Sequence, residues 1–344
     1  MVEEVKQKSD GSLERYQARL VAQGYNQQHG LDYDQTFSPV VKPVTIRIVL
    51  AIAASKKWPV HQLDVKNAFL HDTLNELVYM KQPTCFVHLQ FPHHVCRLNK
   101  ALYGLKQALQ AWFQRFTSLI LCHGFKNSMS DSPLFIYKNN TDIAILLIYV
   151  DDILLIASSS TLLSSLIAAL KSEFSMNDLG LINFFLGISV TSRDGGYFIC
   201  QSKYIKDLLG RANLLSSKPV TSPISPKSIH NSSDSSPFSD ATLYRSLVGG
   251  LQYLTFTRPD IAFAVNRVSQ FMHSPSVTHF TAVKRILRYL NVSLTRGLFI
   301  PGGSIDSLSC YSDADWAGCP TTRRSTSAFC LFLGSNLVSW SSKK

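Results

Sequence analysis

The sequence predicts an α+β fold in which helices flank an antiparallel sheet. Two apolar runs, residues 143–148 and 153–157, are separated by the tetrapeptide YVDD (149–152), the pattern of a β-hairpin with a polar turn. Segments with apolar residues at helical spacing occur before and after this hairpin. Strands and helices that alternate in this way indicate a sheet that is covered by helices.

The first predicted elements are a helix and a strand. Residues 45–57 carry apolar side chains at helical spacing and lysines in the last turn, which predicts an amphipathic helix. Residues 61–70 predict a buried strand that carries Asp64 and passes into a polar turn. Asp64 has an alternative interpretation, because Asp commonly caps a following helix.

Two further helices are predicted around the hairpin. Residues 108–123 form the first, which Gly124 ends, since glycine readily adopts the left-handed conformation of a helix terminus. Residues 161–174 form the second, with leucines on one side and Thr161 as the N-cap.

A linker and a helical region are predicted beyond the hairpin. Of the 25 residues in 216–240, 10 are Ser and 4 are Pro, a composition too polar and broken for a regular element. Asp240 then caps a helix, Pro259 opens another, and residues 277–290 form a third.

The candidate functional residues are three carboxylates. Asp151 and Asp152 lie side by side between apolar strands, where they repel each other and lose hydration unless a cation is present. Turn chemistry is the alternative, because Asp tolerates turn dihedrals. With Asp64, however, the set suits a site in which two metal ions catalyse nucleotidyl transfer.

Several motifs give the chain a resemblance to one family, the reverse transcriptases of copia-type retrotransposons. In family order they are RYQARLVAQG (15–24), FSPVVKP (37–43), LDVKNAFL (63–70), LYGLKQA (102–108), YVDD (149–152), FFLGI (184–188) and YSDADWAG (311–318). A single YVDD match is weakly specific, whereas seven motifs in order across the chain are strongly specific.

The resemblance implies an RNA-directed DNA polymerase that extends a DNA primer on an RNA template with dNTPs. Asp64, Asp151 and Asp152 would be catalytic and would hold two Mg²⁺, and Mn²⁺ would also fit these oxygen ligands. Implied substrate contacts lie at Phe69 under the incoming sugar, Arg19 on the triphosphate, Gln107 in the nucleotide and template floor, and Tyr149. Core packing for Phe69 and a surface position for Arg19 are the simpler alternatives.

The resemblance also implies the fold of a right-hand polymerase. Residues 1–215 would form N-terminally truncated fingers and palm, 216–240 the linker, and 241–300 a helical region like the thumb or connection. Residues 301–344 would begin a ribonuclease H-like domain, with Asp313 as its first metal-binding acid and strands at 327–334 and 337–340. No Asp or Glu follows Asp315, so ribonuclease H activity is expected to be absent.

Charge and cysteine content bear on the partners. The net charge of +11 favours a polyanionic partner, nucleic acid, over the alternative of charge for solubility, which would not need one sign in such excess. Lys284, Arg285 and Arg288 are predicted to share one face of the helix 277–290. This face could bind a phosphate backbone, and the alternative is an ordinary solvated helix face. Seven cysteines without a C-x-x-C pair indicate a reducing compartment. The N-terminal residues contain no apolar signal core, so the sequence implies no membrane role. The resemblance implies cytoplasmic particles and either a larger polyprotein or a second subunit.

Departures from the family pattern keep other hypotheses open. Gln17 and Gln23 replace lysines, Leu109-Gln110 replaces Pro-Arg, and Thr84-Cys85 replaces Pro-Gly, as in a decaying element copy. The first hypothesis is an active polymerase fragment. The second is an inactive retrotransposon remnant that at most binds nucleic acid, and the third is a structural product without a partner.

Overall fold

The structure, a computed structural model, describes residues 2–7, 13–71, 73–225, 236–319 and 322–344, without the side chains at 2–7, 14–19, 71, 73 and 75. The strands are β1 Val2–Gln7, β2 Leu13–Arg19, β3 Val60–Val65, β4 Thr73–Lys81, β5 Val95–Lys100, β6 Lys126–Asn127, β7 Leu134–Asn139, β8 Asp142–Tyr149, β9 Asp152–Ala157, β10 Met176–Leu181, β11 Phe184–Phe185, β12 Ile188–Arg193, β13 Gly196–Cys200, β14 Leu298–Ile300, β15 Leu308–Ala314, β16 Ser327–Leu333 and β17 Asn336–Lys343. The α-helices are α1 Pro43–Lys56, α2 Ala108–Cys122, α3 Ser160–Glu173, α4 Ser202–Arg211, α5 Ala241–Leu254, α6 Ala262–Ser269 and α7 Val277–Val292.

The chain divides into two compact units. The first comprises residues 1–42 and 61–180, and the second comprises residues 43–60 and 181–344. These boundaries differ from those of the predicted functional domains, because residues 181–215 belong to the second compact unit. The functional domain limits stay predictions.

The first unit is built on a six-stranded sheet of order β10-β3-β9-β8-β7-β6. The strands β6 to β9 pair antiparallel in sequence. Helices α2 and α3 supply Trp112, Phe116 and Leu163 to the same buried core as the apolar side chains of β8 and β9. The predicted hairpin and the α+β class are therefore confirmed.

The second unit contains a helical core and two sheets. Helices α4 to α7 enclose buried side chains such as Tyr244, Leu251 and Leu287. The sheets have the orders β11-β12-β13-β14 and β15-β16-β17, and α1 contacts β13, β14 and β17. The strands predicted at 327–334 and 337–340 are confirmed as β16 and β17.

Buried Arg47 joins three parts of the second unit. Its Nε donates to the carbonyl of Val338 at 2.7 Å, and its Nη1 donates to the carbonyl of Phe256 at 2.8 Å. The guanidinium also lies 4.0 Å from the ring centroid of Trp340. Burial lowers the pKa of Arg47 to about 10, so the group stays charged at neutral pH. A cation on α1 is thus solvated by carbonyls and an aromatic ring.

The predicted helices are observed, with one correction at a cap. Asp240 caps α5 by accepting a hydrogen bond from the amide of Leu243 at 2.8 Å, and Pro259 opens a short 3₁₀ turn before α6. Thr161, in contrast, is not the cap of α3. Ser159 accepts from the amide of Leu162 at 3.2 Å, so the N-cap lies two residues before the predicted one and the helix begins at Ser160.

The Ser/Pro-rich linker is described only at its two ends. Residues 216–225 and 236–240 contain no helix or strand apart from one isolated bridge between Pro237 and Ser276. Residues 226–235 lie outside the described part of the chain. Among the described helices, none has the length and apolar character needed to cross a membrane.

The correction at α3 can be tested by a pair of substitutions. Ser159→Ala is expected to lower the free energy of unfolding by about 1 kcal/mol, because the Leu162 amide loses its acceptor. Thr161→Ala is the matched control: its hydroxyl lies 3.2 Å from Ser159 Oγ, but this contact is exposed, so the effect should stay within about 0.5 kcal/mol. Urea denaturation of both variants measures the difference, and a larger loss for Thr161→Ala would contradict the assignment.

Candidate active site

The structure brings Asp64 close to the turn that carries Asp151 and Asp152. Asp64 lies on β3, Asp151 lies in the turn between β8 and β9, and Asp152 begins β9. Strands β3 and β9 are neighbours in the sheet, and the amide of Val65 donates to the carbonyl of Asp151 at 2.9 Å. Three acids from two distant segments therefore lie at one place on the sheet.

The electrostatics show that the three carboxylates affect one another. The pKa of Asp152 is raised from 3.8 to about 6, first by burial, then by the charge of Asp151, with a smaller contribution from Asp64. A hydrogen bond from Gln62 Nε2 to Asp152 Oδ1, 3.4 Å long, opposes this rise. Loss of hydration at this half-buried position, followed by repulsion between like charges, is the physical reason why Asp152 keeps its proton to a higher pH than an exposed Asp.

Two side-chain amides, from Gln62 and Asn177, contact the acids. Gln62 lies two residues before Asp64 on β3, so both side chains emerge on the same face of the sheet. Asn177 on β10 donates from Nδ2 to Asp64 Oδ2 at 3.3 Å. These amides partly compensate the negative charge, but neither one neutralises it.

The donor set fits a hard divalent cation in its chemistry. Carboxylate oxygens are the ligands that Mg²⁺ and Mn²⁺ prefer, and the mutual repulsion around Asp152 is what a cation would relieve. Over the described residues, however, no three Asp, Glu, His or Cys side chains form a preassembled metal-binding cluster. The fit therefore rests on charge and ligand type, and side-chain rearrangement would accompany binding.

Phe69 and Gln107 are both buried in the first unit. Phe69 is 8% exposed, and its ring packs edge-on against that of Tyr103 with centroids 4.6 Å apart. The Gln107 side chain donates to the carbonyl of Asp32 at 2.9 Å and accepts from Gln27 at 3.0 Å. The amide of Gln107 thus joins the start of α2 to an earlier loop, and its contact with a nucleotide stays a prediction.

The remaining predicted site residues are placed as follows. Tyr149 ends β8, where it pairs with Asp152. Arg19 ends β2, but its side chain lies outside the described part of the structure. Asp313 lies on the exposed strand β15 in the second unit, and its carboxylate accepts from the amide of Ala314. Roles in substrate or metal binding stay predictions for all three.

The basic face predicted on α7 is partly used within the protein. Arg288 Nε donates to the carbonyl of Lys218 at 2.6 Å, and Lys284 Nζ lies 4.8 Å from the ring centroid of Phe280. Lys284 is exposed, whereas Arg285 and Arg288 are half-buried. Phosphate binding by this face stays a prediction, with Lys284 as its most accessible member.

A family model described as "Reverse transcriptase (RNA-dependent DNA polymerase)" matches residues 2–226. The chain belongs to the reverse transcriptase family. The Pol polyprotein from transposon RE1 of Arabidopsis thaliana is 49% identical over 98% of the chain, and that from transposon TNT 1-94 of Nicotiana tabacum is 40% identical over 98%. The predicted copia-type resemblance is confirmed.

The curated relatives are much longer than this chain. The chain spans 23% of the RE1 polyprotein and 26% of the TNT 1-94 polyprotein, about a quarter of each. A solved foamy viral protease-reverse transcriptase in complex with double-stranded DNA matches with a TM-score of 0.50 at 13% identity. The match covers all of this chain and 51% of that one, and it confirms the α+β polymerase fold.

The raised pKa of Asp152 predicts a pH-dependent stability in metal-free buffer. Because the folded chain holds this proton more tightly than the unfolded chain, the contribution of Asp152 to stability should fall as pH rises from about 4 to about 6. Asp152→Asn removes the ionisation, so its Tm relative to the wild type should rise over the same interval and level off above it.

Thermal unfolding in EDTA between pH 4 and pH 8 measures this difference. Asp142→Asn is the matched control, because Asp142 lies at the opposite end of β8 from the turn. A gain in Tm for Asp152→Asn that is the same at every pH would contradict the raised pKa of Asp152.

Proposed function

We propose that the chain is the polymerase part of a copia-type retrotransposon Pol polyprotein and catalyses RNA-directed DNA synthesis. The observation that carries the proposal is the convergence of Asp64 with Asp151 and Asp152 through the contact between β3 and the hairpin turn. Membership of the reverse transcriptase family supports the same reaction. The resident cofactor would be Mg²⁺, and Mn²⁺ is the alternative ion.

Each acid has a role in this mechanism. Asp64, Asp151 and Asp152 would hold two ions, which when bound lower the pKa of the primer 3′-hydroxyl and neutralise charge on the leaving pyrophosphate. The three carboxylates act as ligands and need not accept a proton. Gln62 and Asn177 orient two of these carboxylates by their amide contacts.

Phe69 would select between deoxynucleotides and ribonucleotides. Phe69 follows Asp64 by five residues, and its ring is fixed by edge-on packing against Tyr103. A rigid ring under the sugar would exclude a 2′-hydroxyl by steric overlap, and so favour dNTPs. Arg19, Gln107 and Tyr149 are proposed to complete the contacts with nucleotide and template.

The proposed partners are an RNA template, a DNA primer and dNTPs. The net charge of +11 supports binding to a polyanion. The foamy viral protein of similar fold was solved in complex with double-stranded DNA. The sequence relatives are named as Pol polyproteins. Residues 1–215 are proposed as fingers and palm, residues 241–300 as a thumb or connection region, and residues 301–344 as a ribonuclease H-like segment.

Primer extension tests the proposed activity. Purified protein should extend oligo(dT) on poly(rA) with dTTP in Mg²⁺ or Mn²⁺. Asp64→Asn and Asp151→Asn should each lower the rate by about 10²-fold or more, because each removes a charged ligand of the ions. Asp142→Asn, at the far end of β8, should retain the wild-type rate.

The wild-type result also decides between the hypotheses. A folded protein that stays silent with both ions, yet binds a primer-template duplex with steep salt dependence, would be a catalytically inactive remnant. Absence of both extension and salt-dependent binding would leave the structural product as the remaining hypothesis.

Sugar selection is tested by a substitution at Phe69. Phe69→Val should increase incorporation of ribonucleotides relative to deoxynucleotides by about tenfold or more, because the smaller side chain leaves room for a 2′-hydroxyl. Single-nucleotide extension with dTTP and with UTP measures the ratio. Phe113→Val serves as the control for a lost aromatic ring in the same core, and an equal change in both variants would contradict the role of Phe69.

A further inference from the structure

The turn that carries the catalytic candidates has a strained backbone. Tyr149 pairs with Asp152, so Val150 and Asp151 form a two-residue hairpin loop. Val150 has a φ of 55°, in the left-handed region. Glycine is the usual residue at the first loop position when φ is positive, and a β-branched side chain there is a genuine outlier. Other contacts must therefore hold this backbone in place.

Two hydrogen bonds, from donors on two different elements, hold the loop. The indole Nε1 of Trp112 donates to the carbonyl of Val150 at 2.6 Å. The amide of Val65 donates to the carbonyl of Asp151 at 2.9 Å. Both loop carbonyls thus have donors from outside the hairpin, one from helix α2 and one from the strand that carries Asp64.

The indole of Trp112 is fixed by the core. Trp112 is 1% exposed, and its ring packs against Phe116 and Phe174 with centroids 5.6 and 5.1 Å apart. An indole has a single N–H donor, so its direction is set once the ring is packed. The core therefore aims one neutral donor at the strained peptide, and that donor does not titrate.

We propose that Trp112 is a positioning residue of the polymerase site, which holds the strained Val150 peptide and thereby presents Asp151 and Asp152 together. The inference rests on the proposed function for its catalytic consequence. Two adjacent carboxylates repel each other, so a turn without restraint relaxes toward backbone conformations that separate them. The hydrogen bond from Trp112 opposes both this repulsion and the strain at Val150.

An ordinary core role for Trp112 predicts different behaviour. If the indole only fills space, replacing it by another aromatic ring costs packing, and no change at Val150 restores the loss. If the N–H restrains the turn, a residue that adopts φ of 55° without strain compensates for its removal. Glycine at position 150 is such a residue.

Steady-state primer extension in Mg²⁺ and Mn²⁺ is the first readout. Trp112→Phe keeps a ring beside Phe116 and Phe174 but removes the donor, and kcat should fall by about 10- to 100-fold with little change in the KM for dTTP. The double variant Trp112→Phe with Val150→Gly should regain part of the lost kcat, because glycine removes the strain but not the repulsion between the carboxylates. Trp316→Phe, at an exposed tryptophan, is the matched control and should retain wild-type kinetics.

A thermal unfolding cycle in EDTA on the wild type, Trp112→Phe, Val150→Gly and the double variant is the second readout. Val150→Gly should change Tm more favourably in the wild type than in Trp112→Phe, because only the intact hydrogen bond keeps Val150 strained. Equal changes in both backgrounds would overturn the restraint, as would unchanged kcat in Trp112→Phe or a double variant that folds without recovery.

The two readouts separate the two hypotheses. If the wild type does not extend primers but the unfolding cycle shows the expected coupling, the proposed function fails and the restraint of the turn by Trp112 stands. If the wild type is active and the cycle is additive, the proposed function stands and the positioning role fails.

Discussion

The pairing of β3 with β9 is the constraint on which the site depends. The two strands are separated in sequence by β4, β5, α2 and the strands β6 to β8, and the sheet brings Asp64 to the turn after β8. The β9 residues Ile153 to Ala157 are buried on both faces of the sheet, so a shift of register by one residue would draw a polar neighbour, Asp152 or Ser158, into the buried stretch. The hydrophobic effect therefore fixes the register, and the register fixes the positions of the acids.

The acids stay at an unfavourable place because the surrounding structure holds them there. Burial and the neighbouring charge of Asp151 raise the pKa of Asp152 to about 6, which shows that the ionised form is destabilised. The backbone beside them is also strained at Val150. Core packing around Trp112 and the sheet contacts offset both costs, so the same interactions that stabilise the fold maintain a site that repels itself.

The sequence predicted the elements with strong local signals. Apolar spacing identified the helices α1, α2 and α3, and the hairpin was recognisable because two apolar runs flank a polar tetrapeptide. The cap of α3 was misplaced because Ser159 and Thr161 are both good capping residues, and only the backbone geometry distinguishes them. Gln62 could have been found from the sequence, since it shares a strand face with Asp64. Contacts from Trp112, Asn177 and Arg47 could not, because they depend on tertiary packing between distant segments.

The net charge of the chain overstates the number of basic side chains that are available to bind a polyanion. Arg47 and Arg258 are buried, the first against carbonyls and an aromatic ring and the second against Asp260 at 2.8 Å. Lys106 Nζ donates to the carbonyl of Gln27 at 3.0 Å, and it also lies near the ring of Tyr33. Such groups are already committed to contacts within the protein. A polyanion would therefore be attracted by the net charge and contacted by the exposed lysines, of which Lys284 is the clearest on α7.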